Sequence, residues 1–331
     1  MASWAENSSK PLVSIICTTY NHGHFIEDAI KGFLRQQTSF SFEIWIHDDA
    51  SIDCTQKIIR EYKSRYPNII KCILQSDNQY SKGNLPVLIL SEKTSGKYWA
   101  MCEGDDYWIN PRKLEMQIDL LEANPLINMS IHPAEQINFV TNEKKIIGRY
   151  REGSGLVPVS DVLVKKHGQI PFASTLIRYK ALKRYFDFRK DNTYLKVGDI
   201  YLHFWGGEPN GICYLDNVCS VYRIFVPGSW TQNNASSQKL ALCNRVARVR
   251  SYQTINKMTK GRYGEQIRGV NYKRIKSIAC SRSIGISERV QLVCRNWEGL
   301  SLINKVSCIF WSLLPRLFLN LRNSIKIKNK L

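Results

Sequence analysis

The sequence predicts an α/β protein in which a parallel sheet is covered by helices on both faces and is followed by a basic helical segment. Short apolar runs alternate with helical patterns over roughly the first hundred residues, which is typical of βαβ units. Polar clusters follow three of the apolar runs. Because open α/β sheets bind ligands beyond the carboxyl ends of their strands, we expect these clusters to face one crevice.

The first four strands are predicted from apolar, β-branched runs, and the helices between them from apolar residues at i, i+3 and i+4. The strands are expected at residues 12–17, 42–47, 69–74 and 97–102. Helical patterns lie at residues 25–34, from residue 58 towards Pro67, and near residues 85–90.

Beyond Pro111 the pattern is mixed. A helix is expected to run to Asn124, with another at 198–205, and strands are expected near residues 127–132, 173–178 and 212–223. From about Gln238 the chain becomes helical and basic. We therefore expect a short N-terminal tail (1–10), one α/β domain (11–237) and a C-terminal region (238–331).

Composition narrows the function classes. The chain has 331 residues, of which 44% are hydrophobic, so it can bury a large core. Of its formal charge of +19, +17 falls in residues 239–331, so an anionic partner is expected there. A nearly neutral main body does not suggest nucleic-acid binding. Ten scattered cysteines without zinc spacing, and the lack of a signal peptide or a long apolar run, predict a cytoplasmic protein.

The strongest motif is Glu103-Gly104-Asp105-Asp106, which places three carboxylates directly after an apolar strand. Such a cluster is costly unless a cation compensates it. Mg²⁺ or Mn²⁺ fits best, because these ions combine one or two carboxylates with phosphate oxygens. An acidic turn that caps the next helix is the alternative.

A second acidic motif, Asp48-Asp49-Ala50-Ser51, follows the second strand. Taken alone, it is equally well explained as a helix N-cap with an acidic first turn. Its occurrence together with the other strand-end motifs favours a ligand site.

As an ordered set, these motifs resemble glycosyltransferase family 2. The set comprises residues 13–16 with Thr18, Tyr20 and Asn21, then residues 48–51, then residues 103–106, and the resemblance extends over about residues 11–230. It implies the GT-A fold, a Rossmann-like nucleotide-sugar-binding domain with a mixed central sheet. Within the family, the chain looks most like bacterial enzymes that build O-antigen or capsule repeat units.

The resemblance implies a nucleotide-sugar site formed by Thr18, Tyr20, Asn21, Asp48, Asp49, Glu103, Asp105 and Arg223. One of Asp48 or Asp49 would accept a hydrogen bond from the base of a uridine diphosphate. Glu103 would approach the ribose. Asp105 would bind the bridging Mn²⁺ or Mg²⁺ with help from Asp106.

The resemblance also places the catalytic base at Asp199, at the start of a predicted helix. The alternative is an acid that caps this helix and faces solvent. His203 lies one turn further on and could orient Asp199 or the acceptor. Phe225 stands where the family pattern has a histidine, so Arg223 becomes the candidate for a diphosphate contact, with a buried ion pair as its alternative.

Aromatic faces suit the apolar faces of sugars, although most aromatics in a body of this size belong to the core. Tyr107, Trp108 and Trp230 are the acceptor-side candidates, because they follow the acidic motif or a Pro-Gly pair.

The C-terminal region contains an apolar stripe that runs from Leu302 to Ile325, interrupted by Pro315 and closed by Lys326, Lys328 and Lys330. An apolar stripe with basic flanks predicts a helix that lies on an anionic membrane surface. A helix docked on the α/β domain is the alternative.

The sequence therefore predicts a metal-dependent, inverting glycosyltransferase at the inner face of the cytoplasmic membrane. It would use a UDP-sugar donor and a polyprenyl-diphosphate-linked glycan acceptor. A sugar nucleotidyltransferase is the alternative enzyme, but such enzymes usually open with a glycine-rich basic loop, and this chain has Thr-Thr-Tyr-Asn at residues 18–21. A nucleic-acid-binding module is supported by charge alone.

Overall fold

The structure, a computed structural model, describes residues 10–192 and 198–314. These residues form two compact units. The N-terminal unit contains residues 10–192 and 202–231, and the C-terminal unit contains residues 198–201 and 232–314. The terminal lysines and residues 315–331 of the predicted stripe, including Pro315, lie outside the described residues.

Within the described ranges, the strands are β1 (Val13–Thr19), β2 (Phe42–Asp48), β3 (Ile70–Leu74), β4 (Tyr98–Glu103), β5 (Tyr107–Trp108), β6 (Met129–Ile131), β7 (Ala134–Asn138), β8 (Lys144–Ile147), β9 (Gly155–Val157), β10 (Leu176–Arg178), β11 (Ile212–Tyr214) and β12 (Ser220–Ile224). The α-helices are α1 (Ile26–Leu34), α2 (Thr55–Arg65), α3 (Pro86–Ser91), α4 (Lys113–Glu122), α5 (Val159–Leu163), α6 (Tyr179–Asp191), α7 (Gly198–Gly207), α8 (Trp230–Ser236), α9 (Gln238–Met258), α10 (Gly264–Ala279), α11 (Ile286–Asn296) and α12 (Leu302–Leu313).

The main sheet is mixed and has the strand order β3-β2-β1-β4-β10-β6-β11-β9. Its first four strands are parallel, as the alternation of strands and helices predicts. β10 joins the sheet antiparallel to both β4 and β6. β1 is almost continuously buried, from Val13 to Thr19, because helices cover both faces of a parallel sheet.

A second, four-stranded sheet has the order β5-β12-β7-β8, and the sequence patterns did not predict it as a separate sheet. Its strands are short and largely polar, so they show no clear apolar period. β12 pairs with β5 in antiparallel fashion, with Val221 opposite Tyr107. This pairing carries Arg223 to the loop that contains the acidic motif.

The core between α1 and the sheet depends on a close approach at Gly32. A Cβ atom at this position would lie 2.8 Å from the Trp108 carbonyl oxygen and 3.0 Å from the Trp108 nitrogen. The missing side chain therefore allows α1 to lie directly against β5, the strand that follows the acidic motif.

The C-terminal unit is a helical assembly built around a small apolar core. Buried residues of this core include Leu242, Val249, Ile275, Val293 and Cys308, contributed by α9 to α12. α12 packs on α10 and α11. Among the described helices, none is both long and apolar enough to cross a membrane.

α12 has two apolar faces. One face, with Cys308 and the partly buried Ile309 and Trp311, packs into the core of the C-terminal unit. The other face is exposed and consists of Leu302, Ile303, Val306, Phe310 and Leu313, together with Leu314 directly after the helix, each with 43–80% of its surface accessible. We call these six residues the α12 apolar face. The described part of the predicted stripe is thus docked on one side and uncovered on the other.

Candidate active site

The acidic motif lies at the carboxyl end of β4, beside the end of β1. Register pairs Thr18 with Glu103 across these two strands. One oxygen each from Glu103, Asp105 and Asp106 lies within 4.8 Å of the others. Glu103 is exposed, Asp105 is 9% exposed and Asp106 is fully buried. The three carboxylates form one group that extends from solvent into the protein, and we call it the acidic cluster.

Asp106 is the buried member of this cluster, and one of its oxygens lacks a donor in the described part of the chain. Its Oδ1 accepts a hydrogen bond from the Arg223 backbone nitrogen at 2.9 Å, while its buried Oδ2 has no hydrogen-bond partner among the described residues. Burial, together with the charges of Asp105 and Glu103, raises the pKa of Asp106 well above its usual value.

These features fit a hard divalent cation. A buried carboxylate oxygen without a donor is rare in folded proteins and indicates a missing partner. Mg²⁺ and Mn²⁺ prefer carboxylate oxygens supplemented by phosphate oxygens and water. The acidic cluster offers the carboxylate oxygens. Its solvent side, at the exposed Glu103, is accessible to phosphate oxygens and water.

Arg223 is fixed beside the cluster. Its guanidinium donates to the Asp105 carbonyl oxygen at 2.8 Å and forms an ion pair with Asp28 at 2.6 Å. The guanidinium carbon also lies 4.4 Å from the centre of the Tyr107 ring and 5.2 Å from that of Phe25. The structure thus shows an ion pair at Arg223, half exposed on the Asp28 side, next to the acidic cluster. The diphosphate contact of Arg223 stays a prediction.

The loops after β1 and β2 are joined through Ser51. Asp48 accepts from the Ser51 backbone nitrogen at 3.0 Å and from the Gln56 side chain at 2.6 Å, and the Ser51 hydroxyl also donates to it. The Asn21 backbone nitrogen donates to Ser51 Oγ at 2.7 Å, and Asn21 Oδ1 accepts from the Ile52 nitrogen at 2.9 Å. Asp48 and Asn21 thus hold the two loops together.

Asp49 holds a third loop. Its two carboxylate oxygens accept from the backbone nitrogens of Gln79 and Tyr80 at 2.7 and 3.0 Å. Both aspartates of this motif therefore already have protein donors, and any bond to a nucleotide base would use a remaining lone pair. Tyr20, 44% exposed at the end of β1, offers its ring to solvent beside these loops.

His22 is a site residue that the sequence analysis did not assign. Its Nε2 lies 3.9 Å from Asp105 Oδ2, and its buried Nδ1 has no hydrogen-bond partner among the described residues. Burial lowers the pKa of His22, while Asp105 and Asp53 act in the opposite direction. Its position directly after Tyr20 and Asn21 was the available signal, but no metal-ligand spacing accompanied it.

Gly104 allows the acidic motif to lie this close to β1. A Cβ atom there would come within 2.6 Å of Thr19 Oγ1 and 3.0 Å of His22 Nδ1. Any larger residue would push the acidic motif away from the end of β1.

Asp199 lies in the first turn of α7, within the C-terminal unit. Its Oδ2 is 3.4 Å from Arg248 Nη1, and the two side chains are 25% and 15% exposed. Arg248 was not singled out from the sequence, because it lies 49 residues away on α9 and only folding brings it to Asp199.

One of the predicted acceptor-side residues is wrong. Trp108 is only 2% exposed, donates its indole N–H to the Ala173 carbonyl oxygen at 2.9 Å, and packs against Phe33 at a ring distance of 4.8 Å. It is a core residue, since β5 turns its side chain inward beneath α1, and it cannot stack on a sugar.

The other candidates differ in their exposure. Tyr107 is half-buried against Arg223, and Trp230 is 51% exposed at the start of α8. His203 is almost fully buried, at 4% exposed. Of the four residues, Tyr107 and Trp230 therefore present the most accessible rings.

Comparisons with known proteins agree with this geometry. A profile of the family described as glycosyl transferase family 2 matches residues 14–206, more than half of the chain. A protein of Mycobacterium tuberculosis, Rv1520, is 39% identical over 229 residues, which cover 66% of this chain and 60% of that protein.

A functionally described relative comes from Escherichia coli. WfgD, a UDP-Glc:alpha-D-GlcNAc-diphosphoundecaprenol beta-1,3-glucosyltransferase, is 31% identical over 140 residues, covering 42% of this chain and 50% of WfgD. The chain thus spans about three fifths or less of the length of these relatives.

Among solved structures, residues 1–349 of Staphylococcus aureus TarS in complex with UDP superimpose with a TM-score of 0.59. The match covers 84% of this chain and 77% of the TarS chain at 15% identity, a level that shows a shared fold. The fold is therefore GT-A-like, with a large mixed sheet and several C-terminal helices.

Proposed function

The chain belongs to glycosyltransferase family 2. We propose that it transfers a sugar from a UDP-sugar donor to a hydroxyl group of a lipid-linked glycan. The transfer would invert the configuration at the anomeric carbon. The observation that carries the proposal is the acidic cluster, with its buried, unpartnered Asp106 oxygen, at the strand-end crevice where α/β sheets bind nucleotides.

The cluster would bind the diphosphate of the donor through a divalent cation. When bound, the cation would neutralise the charge that develops on the departing diphosphate. Asp105 and Asp106 would hold it, and Glu103, which is exposed, would face the ribose. Arg223 would keep the cluster in place through its bonds to Asp105, Asp106 and Asp28.

Donor recognition would fall to the three joined loops. Tyr20 is exposed for stacking on the base, while Asp48, Asn21 and Ser51 keep the loop backbones in register. A rigid frame of this kind reduces the ordering cost of binding, since the loops are already held by protein hydrogen bonds.

The transfer step itself needs a base. The acceptor hydroxyl oxygen would form a bond to the anomeric carbon as the bond to the diphosphate oxygen breaks, and the hydroxyl proton would pass to the Asp199 carboxylate. Arg248 would orient Asp199 through their ion pair. UDP would leave with the bonding electron pair.

A lipid-linked acceptor is supported by two observations. WfgD acts on a diphosphoundecaprenol-linked sugar, as its name states. The α12 apolar face is uncovered, and 17 of the 19 net positive charges fall in residues 239–331. We propose that the protein is peripheral on the cytoplasmic membrane, with a role in surface polysaccharide or O-antigen synthesis.

The test is thermal unfolding of the full chain with UDP, with and without Mn²⁺. Ligand at about 100 times its dissociation constant should stabilise the protein by about 2.7 kcal/mol. UDP should stabilise the wild type only with Mn²⁺, because the phosphates and the acidic cluster repel each other. Asp105→Asn should remove this stabilisation.

Asp119→Asn is the matched control, since Asp119 is an exposed acid on α4 outside the acidic cluster. It should respond to UDP and Mn²⁺ as the wild type does. Equal stabilisation of the wild type by UDP in excess EDTA would refute the metal-bridged site.

A further inference from the structure

The C-terminal unit contains a cavity whose charged lining residues are all basic. Its volume is about 820 Å³. Arg245 contributes from α9, Lys273 and Lys276 from α10, and Arg282 from the segment before α11. Among the described residues, no Asp or Glu lines it. We call these four residues the basic cavity cluster.

The acids in the described part of this unit lie outside the cavity. The unit has four acids, of which Asp199 pairs with an arginine and Glu298 with a lysine, neither of them from the cluster. Glu265 and Glu288 begin α10 and α11 and do not line the cavity. Gln238, in the first turn of α9, does line it, and that turn contains no acid. The positive end of this helix therefore adds to the field of the four side chains.

The cavity adjoins apolar surface. Lys276 Nζ lies 5.1 Å from the centre of the Trp311 ring, and Trp311 contacts Phe310 edge to face at 5.1 Å. Phe310 belongs to the α12 apolar face. The basic cavity is thus linked to an exposed apolar helix face through Lys276 and Trp311. A molecule complementary to both features has an anionic head and an apolar tail.

We propose that the basic cavity cluster binds the phosphate head group of an anionic membrane lipid, while the α12 apolar face contacts the acyl region. Arg245 and Arg282 can bind phosphate oxygens in bidentate fashion, and the two lysines add compact charges. This inference rests on the proposed function only for the presence of the protein at a membrane, and it assigns the head-group contact to a defined cavity outside the donor site.

The test measures co-sedimentation of the full chain with two kinds of vesicle. One kind is pure phosphatidylcholine, and in the other roughly one lipid in three is phosphatidylglycerol. The wild type should bind the anionic vesicles. Because this double change removes half of the basic cavity cluster, Lys273→Gln with Arg282→Gln should weaken binding at least tenfold. The matched control is Arg250→Gln with Lys260→Gln, which removes two exposed charges of the same unit outside the cavity. It should change binding less than threefold.

Three results would overturn the proposal. Equal weakening by both double variants would show a diffuse charge effect. Binding of inorganic pyrophosphate or of a short RNA as tight as that of the vesicles, lost in the cavity variant, would identify a soluble anion as the ligand. A change in oligomeric state of the cavity variant by light scattering would indicate that a second copy covers the cavity. The thermal response to UDP and Mn²⁺ reports the donor site separately, so failure of this inference is distinguishable from failure of the proposed transferase activity.

Discussion

Lys113 provides a quantitative test of the packing beneath the candidate site. Its side chain is fully buried, donates to Gln117 Oε1 at 2.7 Å, and lies 4.1 Å from the centre of the Trp108 ring. Burial lowers the pKa of Lys113 from 10.5 to about 7, and the neighbouring Cys219 and Cys102 act weakly in the opposite direction. The folded protein therefore holds this lysine uncharged above about pH 7, whereas the unfolded chain keeps it charged up to about pH 10.5.

The sign of the effect follows from proton binding. Between these two pKa values the unfolded chain binds a proton that the folded chain does not, so stability rises with pH across this window. Below pH 7 both states are protonated and the full cost of burying the charge is present. One proton contributes at most about 1.36 kcal/mol per pH unit, and integration from pH 6 to pH 9 gives a gain of about 2.5 kcal/mol.

The assay compares urea unfolding of the wild type and of Lys113→Met at pH 6, 7.5 and 9. Methionine keeps the length of the side chain and does not titrate. The free energy of unfolding of the wild type, relative to the variant, should rise by about 2.5 kcal/mol from pH 6 to pH 9. Lys31→Met is the control, since it replaces a half-exposed lysine and keeps Lys113. Its free energy of unfolding should rise with pH as that of the wild type does. A constant difference between wild type and Lys113→Met would refute the buried, neutral lysine.

Three further outcomes are expected. Asp199→Asn should keep the thermal response to UDP and Mn²⁺ but lose about 10²- to 10⁴-fold in transfer rate, because the amide cannot accept the proton, and near-normal transfer would contradict this role. Gly32→Ala should lower the melting temperature and the free energy of unfolding, the latter by about 1–3 kcal/mol, because the added Cβ meets the Trp108 backbone at 2.8 Å. The control Gly269→Ala meets nothing within 4 Å and should stabilise α10. Equal shifts of the melting temperature in both variants would argue against the close packing. Ile303→Asn with Phe310→Asn should reduce co-sedimentation with anionic vesicles without unfolding the protein, and unchanged co-sedimentation would mean that the α12 apolar face is not the membrane contact.

Local patterns predicted the parallel half of the main sheet and the order of the motifs. Residues 12–17 and 98–102 are mostly apolar because strands covered on both faces bury nearly every side chain, and this composition is visible without a structure. The acidic motif was also visible in the sequence alone, because three carboxylates within four residues indicate either a cation site or an acidic turn. The prediction that the chain belongs to glycosyltransferase family 2 is confirmed by the profile match.

The second sheet and the wrong assignment of Trp108 show where local patterns fail. β5 contains only two residues and takes its conformation from pairing with β12, which lies more than a hundred residues later. No local period can reveal such a strand. Trp108 was placed on the acceptor side because it follows the acidic motif, but the inward turn of β5 and the close approach of Gly32 bury it.

The sequence by itself determined the fold class, the family and the approximate location of the candidate site, because these depend on composition and on the order of nearby residues. Only the tertiary structure decided which charges meet. Arg223 pairs with Asp28, 195 residues away, and Asp199 with Arg248, 49 residues away. The basic cavity cluster is assembled from three separate segments. Electrostatic interactions depend on distance in space, and distance along the chain does not reveal it.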